Sequence, residues 1–344
     1  MKNSLLIFCM VILIAGCSEN RKPKYPEKPL GWEKLDTPTK SSLRGLSPLT
    51  EKIIWASGSN GTWLRTLDGG LTWDFGIVDG LDSVDFRDIE AIDANIAIVI
   101  SSGQPAVIYK TNDGGKNWEK KFQGTEFDFY DGMAFHKKRG YVIGDVVDGK
   151  WILIETRDEG ENWSLLELSP SGPPGGGSFA ASGSSILVDN ENIWFASAGK
   201  NSKIYHSRDN GYTWEVYFAP IIQQEDSHGI FSMTKLGGGV IVAVGGDFQT
   251  INENGKNLVI SSDQGQTWRS GSGTPPSGYR SGVQYFPRFH WLVTVGPNGT
   301  DFSKDGGDNW EKFSNEGFHA VKLDKTSSSL WASGNDGRIA RLMH

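Results

Sequence analysis

The octapeptide SKDGGDNW (303–310) decides the fold, because nearly the same eight residues occur six times along the chain. The shared pattern is Ser/Thr-x-Asp-x-Gly-x-x-Trp, called here the box. Its aspartate recurs at steps of 45, 45, 51, 54 and 42 residues, a period long enough for the four short strands of a β-propeller blade. The six copies are TLDGGLTW (66–73), TNDGGKNW (111–118), TRDEGENW (156–163), SRDNGYTW (207–214), SSDQGQTW (261–268) and SKDGGDNW (303–310).

Apolar or alternating runs flank each box, which predicts a hairpin turn between the third and fourth strands of a blade. The Asp carboxylate and the Ser/Thr hydroxyl are expected to bond the turn, and the Gly permits a positive φ. The Trp is expected to pack between its own blade and the next one. Because the turn uses the Asp oxygens, a structural role is favoured over catalysis or calcium binding. The residues concerned are Asp68, Asp113, Asp158, Asp209, Asp263, Asp305, Trp73, Trp118, Trp163, Trp214, Trp268 and Trp310.

Two incomplete repeats predict a seventh blade. The segment 317–344 resembles the first repeat, with Trp331 aligned to Trp55, but it ends before any box. Conversely, GWEKLDTP (31–38) resembles a fourth strand that lacks its box. The sequence therefore predicts an all-β, seven-bladed β-propeller over residues 31–344, in which an N-terminal strand at 31–36 closes the last blade and leaves no open edge.

The N-terminus is typical of an exported lipoprotein. Residues 1–16 contain an apolar run of signal-peptide length, and "IAGC" resembles a bacterial lipobox that would place lipid on Cys17. Residues 17–30 are rich in Pro, Lys and Glu and predict an extended tether. We expect a protein anchored by lipid to a membrane of the bacterial cell envelope; the alternative is an ordinary cleaved signal.

The composition excludes several classes of function. The net charge of −7 argues against nucleic-acid binding. Cys9 lies in the signal peptide and Cys17 is the expected lipid anchor, so the folded body has no thiol for a disulfide, a zinc site or a nucleophile. A dinucleotide fingerprint is also absent from the sequence. We expect a monomer without metal or cofactor.

Motifs spread along the chain carry a resemblance to a known family. They are SSLRGL, DFRDIEA, YDGMAF, GDVVDG, FAASG, GIFSM, VGGD, YRSGV, VGPNGT and GFHAV. Together with the boxes, which look like BNR/Asp-box repeats, they resemble the photosystem II stability/assembly factor-like family of bacterial propeller proteins, some of which are loosely labelled oxidoreductases. The resemblance implies a seven-bladed propeller and a role in binding a membrane protein during its assembly.

A candidate site emerges where the aligned repeats differ most, at the start of each first strand. These positions meet at one mouth of the central channel, together with the turn between the second and third strands and opposite the boxes. The resulting concave, charged mouth is the expected ligand site; the alternative is that its charges simply pair with one another. The predicted binding residues are Arg44, Arg87, Asp131, His228, Arg280 and His319 from first strands, with Asp145 and Asp247 from second turns.

Three functions remain open. The first is a binding or assembly module that recognises an anionic ligand or a segment of an envelope protein through the arginines. The second is a sialidase-like glycoside hydrolase, with Tyr130 or Tyr279 as nucleophile; however, Arg44 is followed by "GLS" rather than the sialidase "Arg-Ile-Pro". The third is a structural scaffold. We expect a binding protein rather than an enzyme, and name no catalytic residue.

Overall fold

A computed structural model describes residues 25–344, so the predictions for the signal peptide and Cys17 lie outside the described residues. The chain forms seven four-stranded antiparallel sheets. The N-terminal strand, β1 (Gly31–Leu35), belongs to the seventh sheet. Blade 1 contains β2 (Leu43–Pro48), β3 (Ile54–Gly58), β4 (Thr62–Thr66) and β5 (Asp74–Ile77); blade 2 contains β6 (Asp88–Ala91), β7 (Ala97–Ile100), β8 (Val107–Thr111) and β9 (Glu119–Gln123); blade 3 contains β10 (Tyr130–His136), β11 (Arg139–Val147), β12 (Lys150–Thr156) and β13 (Ser164–Leu165).

The remaining blades repeat the same plan. Blade 4 contains β14 (Ile186–Asp189), β15 (Asn192–Ala196), β16 (Lys203–Ser207) and β17 (Glu215–Phe218); blade 5 contains β18 (His228–Gly237), β19 (Val240–Asp247), β20 (Leu258–Ser261) and β21 (Arg269–Ser270); blade 6 contains β22 (Gly282–Phe286), β23 (Trp291–Gly296), β24 (Gly299–Ser303) and β25 (Glu311–Ser314); blade 7 contains β26 (Ala320–Leu323), β27 (Leu330–Ser333) and β28 (Ile339–Met343). Short 3-10 turns occur at Gly199–Asn201 and Pro287–Phe289.

The first strand of each blade contacts the first strands of both neighbouring blades, so these seven strands surround the central channel. Apolar clusters fill the spaces between successive blades. Between residues 25 and 344, no helix has the length and apolar character needed to cross a membrane.

The N-terminal strand closes the ring, as the sequence predicts. Strand β1 pairs antiparallel with β28, from Gly31 opposite Met343 to Leu35 opposite Ile339, and completes blade 7. Trp32 occupies the place of the missing box tryptophan: it is buried in the cluster between blades 6 and 7. The seven-bladed fold is therefore confirmed.

The box forms the hairpin turn between the third and fourth strands. In the first copy, the Thr66 hydroxyl donates to Asp68 at 2.8 Å and accepts the Gly70 N–H at 2.9 Å. The Asp68 carboxylate accepts the N–H of Thr72 at 2.9 Å and its hydroxyl at 2.6 Å. The Thr72 hydroxyl is the main reason why the pKa of Asp68 falls to about 2. The equivalent glycine of the second box, Gly115, has φ +90° and no space for a side chain.

The prediction that each box tryptophan packs toward the next blade is wrong, because the partner is the preceding blade. Trp118 of blade 2 lies 6.4 and 6.1 Å from the rings of Trp55 and Trp63 in blade 1. Trp310 likewise joins the cluster between blades 5 and 6. Alternation along a strand separates its two faces but does not say which neighbour each face meets. Of the six box tryptophans, Trp310 alone is fully buried, at 5% exposure; the others are half-buried.

Candidate functional site

A cavity of about 530 Å³ opens at the channel mouth, and all seven blades contribute to its wall. Its two halves differ in chemistry. Blades 7, 1, 2 and 3 supply its charged side chains and its imidazole, whereas blades 4, 5 and 6 supply four of its five Phe and Tyr rings. The predicted site residues that line it are Arg44, Arg87, Asp131, Asp145 and His319.

β-Bulges occur at four of the residues that line this cavity. The strand register skips Arg44 between β2 and β3 and Asp131 between β10 and β11. It also skips Asp145 between β11 and β12 and Phe231 between β18 and β19. A bulged residue leaves the regular ladder, and its side chain is re-aimed. The bulges therefore direct two acids, one arginine and one phenylalanine into the mouth.

Arg44 is a cation without an acidic partner. Its Nη1 donates to the carbonyl of Ala181 at 3.2 Å, and no carboxylate among residues 25–344 forms an ion pair with it. Burial lowers the pKa of Arg44, and the positive charge of Arg87 lowers it further. The guanidinium keeps most of its donors free for a group that enters the cavity.

Arg87 is already paired. Its Nε donates to Asp85 Oδ2 at 2.7 Å, and its Nη1 lies 3.5 Å from the carbonyl of Ala180. The guanidinium lines the cavity, but its Nε–H group is already bonded to the Asp85 carboxylate. Arg44 is thus the stronger candidate for an incoming anion.

Asp131 and Asp145 form a pair of neighbouring carboxyls. Asp131 is 1% exposed, and within the described chain no side chain outside the pair donates to its oxygens; the nearest backbone donor is the N–H of Ser178. Burial raises the pKa of Asp131 well above its ordinary value, and the Asp145 charge raises it further. Burial also raises the pKa of Asp145. The two carboxyls lie within hydrogen-bonding reach, so they can share one proton.

His319 completes the polar half as a neutral group. Its Nε2 donates to Asn335 Oδ1 at 2.8 Å. Burial, followed by the charge of Arg44, lowers the pKa of His319 to about 4. The imidazole is therefore uncharged at neutral pH and contributes hydrogen bonding rather than positive charge.

Arg280, predicted to lie at the mouth, is not among the residues that line the cavity. It is fully buried, with its Nε 2.6 Å and its Nη2 2.5 Å from Asp301 Oδ2. Its Nη1 donates to the carbonyl of Tyr279 at 2.8 Å. Only two of the three expected arginines therefore face the cavity, and the third is part of a buried ion pair.

His228 and Asp247 are also absent from the cavity wall. His228 Nδ1 accepts the N–H groups of Gln224 and Glu225 at 3.0 and 3.2 Å, and its Nε2 lies 3.5 Å from Asp247 Oδ2. Asp247 in turn accepts the Thr250 hydroxyl at 2.7 Å. Both side chains are used to hold the loops of blade 5.

Of the aromatic half of the cavity, the sequence analysis named Tyr279 alone, as a possible nucleophile, and missed the phenylalanines. Phe179 and Phe231 stack with centroids 3.6 Å apart, and Tyr279 meets Phe231 edge-on at 4.7 Å. Phe248 stands at the rim with 46% of its surface exposed. The signal was present, since Phe179, Phe248 and Tyr279 each stand next to an aligned rim position. Tyr130, the other tyrosine considered, is buried outside the cavity wall.

Buried serines form a hydrogen-bonded chain that reaches Ser281 of the cavity wall. Ser182 Oγ donates to the carbonyl of Ser281 at 2.7 Å, and it also lies 2.6 Å from Ser184 Oγ. Ser184 continues the chain to Ser232 Oγ at 2.7 Å. These bonds connect blades 4, 5 and 6 across the channel. Within the described chain, no three His, Cys, Asp or Glu side chains are grouped as a metal site.

Comparison with known proteins finds similar sequences. Residues 26–125 match the model of the photosynthesis system II assembly factor YCF48 family. A photosystem II assembly lipoprotein Ycf48 from Synechococcus sp. (strain CC9902) is 23% identical over 308 residues, covering 78% of this chain and 86% of the relative. The Ycf48 lipoprotein of Prochlorococcus marinus is 22% identical and covers 86% and 91%.

Solved structures agree on the fold. A structure described as YCF48 bound to D1 peptide matches with a TM-score of 0.66 at 16% identity, over 94% of this chain and 99% of that one. YCF48 from Cyanidioschyzon merolae matches with a TM-score of 0.62 at 18% identity, over 91% and 98%. The resemblance that the sequence motifs indicate is confirmed.

Proposed function

Since this chain is an Asp-box propeller similar to the Ycf48 assembly factors, we propose that it is a membrane-tethered binding or assembly module. Its cavity takes a segment of another envelope protein and binds an anionic group of that segment through Arg44. The observation that carries this proposal is the unpaired Arg44 guanidinium in a cavity whose opposite wall is aromatic.

The chemistry of Arg44 favours a carboxylate or phosphate group as ligand. A guanidinium presents a planar fork of donors that matches two oxygens of such a group. Arg44 uses one donor on Ala181, and its burial weakens competition from water. The remaining donors of Arg44 are therefore available to a ligand, whereas Arg280 is already paired with the carboxylate of Asp301.

A protein segment fits the cavity better than a whole folded surface. A volume of about 530 Å³ accommodates a few side chains. The exposed ring of Phe248 gives an apolar contact at the rim, and aromatic side chains contribute strongly to protein recognition. A related propeller has been solved with a peptide bound, and the curated relatives carry the name of assembly lipoproteins.

The tether would direct the mouth away from the membrane. Strand β1 starts beside Met343, at the box end of β28, and finishes beside Ile339, at the mouth end. Residues 25–30 therefore approach the propeller from the box face; Leu30 donates its N–H to the carbonyl of Met343 at 2.9 Å. With lipid on Cys17, the box face would lie toward the membrane and the cavity would open toward the client protein.

A sialidase-like hydrolase remains the alternative, and the site supports it less well. Such an enzyme needs a cluster of arginines around a sugar carboxylate, whereas Arg280 is bonded to Asp301 outside the cavity. Tyr279 lines the cavity near Arg44, but the burial of its hydroxyl raises its pKa, which disfavours the ionised nucleophile.

The proposal can be tested by crosslinking within the native envelope. A photoreactive amino acid is placed at Phe248, and the captured protein is identified by mass spectrometry. We expect one dominant crosslink, which Arg44→Ala abolishes. Arg269→Ala is the matched control, because this arginine pairs with Asp308 on the exposed surface. A crosslink of equal yield in the Arg44→Ala variant would contradict the proposal.

A further inference from the structure

The carboxyl pair at the cavity wall has no role in binding an anion. Asp131 and Asp145 both line the cavity in which Arg44 is free. A negative group there opposes the entry of an anionic ligand rather than assisting it. The proposed function therefore leaves these two side chains unexplained.

No cation of the described chain neutralises the pair. Arg87 lies near enough to lower the pKa of Asp131, but its ion pair is with Asp85 at 2.7 Å. Arg44 donates to Ala181 and forms no ion pair with either carboxyl. The cavity thus contains uncompensated charges of both signs that do not pair with each other.

Proton sharing satisfies the pair only in part. If Asp131 holds a proton and donates it to Asp145, one negative charge and several acceptor lone pairs remain. Asp131 is 1% exposed, so water has little access to it, and its donors in the described chain are Asp145 and the backbone N–H of Ser178, which Asp145 shares. Two buried carboxyls with so few donors and no paired cation are rare in folded proteins and call for an explanation. A donor supplied by a ligand provides one.

We propose that Asp131 and Asp145 form a subsite for a cationic group, the ammonium or guanidinium of a basic side chain. This inference rests on the proposed binding function and extends it. The cavity then recognises a segment that carries an acidic group for Arg44, a basic group for the carboxyl pair and an apolar side chain for the Phe179–Phe231 wall. Binding a cation displaces the shared proton to solvent.

Charge complementarity supports a basic side chain over a neutral donor. A hydrogen bond between a charged donor and a carboxylate is about twice as strong as a neutral one. The neighbouring aromatic rings also favour a cation, because their faces are electronegative. A lysine or arginine beside an acidic residue satisfies both sites at once, whereas a purely acidic segment satisfies Arg44 alone.

Three end-capped peptides test the proposal by calorimetric titration of the full mature chain. Glu-Phe-Lys carries both charges, Glu-Phe-norleucine lacks the cation, and Gln-Phe-Lys lacks the anion; each is made in both sequence orders, with and without a glycine spacer. We expect Glu-Phe-Lys to bind about tenfold more tightly than Glu-Phe-norleucine, as for one well-placed charge pair.

The variants assign this difference to its residues. In Asp131→Asn and in Asp145→Asn, the preference for lysine over norleucine should fall below about twofold. In Arg44→Ala, the preference for Glu over Gln should disappear while that for lysine persists. Circular dichroism establishes that each variant is folded. If one of the two aspartate variants does not fold, the other still tests the subsite.

The outcomes separate the two proposals. Equal affinity for Glu-Phe-Lys and Glu-Phe-norleucine, with both peptides weakened by Arg44→Ala, overturns the cation subsite and leaves the proposed function standing. A lysine preference that survives both aspartate variants also overturns it. If none of the peptides binds the unmodified chain, the proposed function and the subsite both fail.

Discussion

Replacing Arg280 by alanine should destabilise the propeller, although the sequence aligns Arg280 with Arg44, the proposed binding residue. Arg280 is 0% exposed and its partner Asp301 has 1% side-chain exposure, with 2.5 Å between Nη2 and Oδ2. The substitution leaves a buried carboxylate whose remaining donor side chain is Ser277. Breaking a buried pair in this way costs about 3 to 5 kcal/mol, which lowers Tm by roughly 4 to 7 °C in a chain of this size.

Arg44→Ala is the matched comparison. It removes a buried guanidinium that has no carboxylate partner and one hydrogen bond to a carbonyl. The lost hydrogen bond is worth about 1 kcal/mol, and relief of the unpaired charge offsets it. We expect Tm to change by less than about 2 °C.

The assay is thermal and urea unfolding of both variants, followed by tryptophan fluorescence and circular dichroism. Arg280→Met with Asp301→Asn removes both charges and should recover part of the loss, since neutral groups carry no ionic desolvation cost. A Tm of Arg280→Ala within about 1 °C of the unmodified protein would refute the reasoning. So would equal destabilisation by Arg44→Ala and Arg280→Ala.

Three further outcomes are expected. Trp310→Ala should lower the free energy of unfolding by about 3 to 5 kcal/mol and Trp118→Ala by less, since Trp118 is half-buried; equal losses in urea titrations would contradict the packing described. Asp131→Asn should raise Tm at pH 7 but not at pH 4. The pKa of Asp131 is raised in the folded protein, so ionising this carboxyl destabilises the fold as the pH rises above the unfolded-state pKa of about 3.9. An equal change in Tm at both pH values would show that ionisation of Asp131 is not the cause. Cys17→Ser should release the protein from isolated membranes, and retention in the pellet would disprove the lipid anchor.

Particular elements explain why the fold was predictable from the sequence. Each box encodes its own turn, because Asp68 and Thr66 bond residues within four positions of themselves. Local hydrogen bonds of this kind depend on the sequence alone. The incomplete repeats at the two ends predicted the pairing of β1 with β28, because a propeller without closure would leave an open edge.

The sequence predicted where the candidate site lies but not all of the side chains that line it. Aligned positions located the mouth and identified Arg44, Arg87 and Asp131 as neighbours, and all three line the cavity. The same alignment put Arg280 beside them, although its side chain turns to Asp301. Alignment of repeats gives the height of a residue along the channel but not the direction of its side chain.

The sequence by itself determined the number of blades, the turn at each box and the closure of the ring, because these depend on repeat period and on hydrogen bonds between near neighbours. Tertiary structure alone decided which side chains enter the cavity. Bulges at Arg44, Asp131 and Phe231 direct those side chains into the cavity. Blade 6 has no such bulge: β22, which follows Arg280, pairs regularly with β23 from Gly282 onward. A bulge arises from the fit between two strands within the packed ring, so the direction of these side chains depends on residues far apart in the chain.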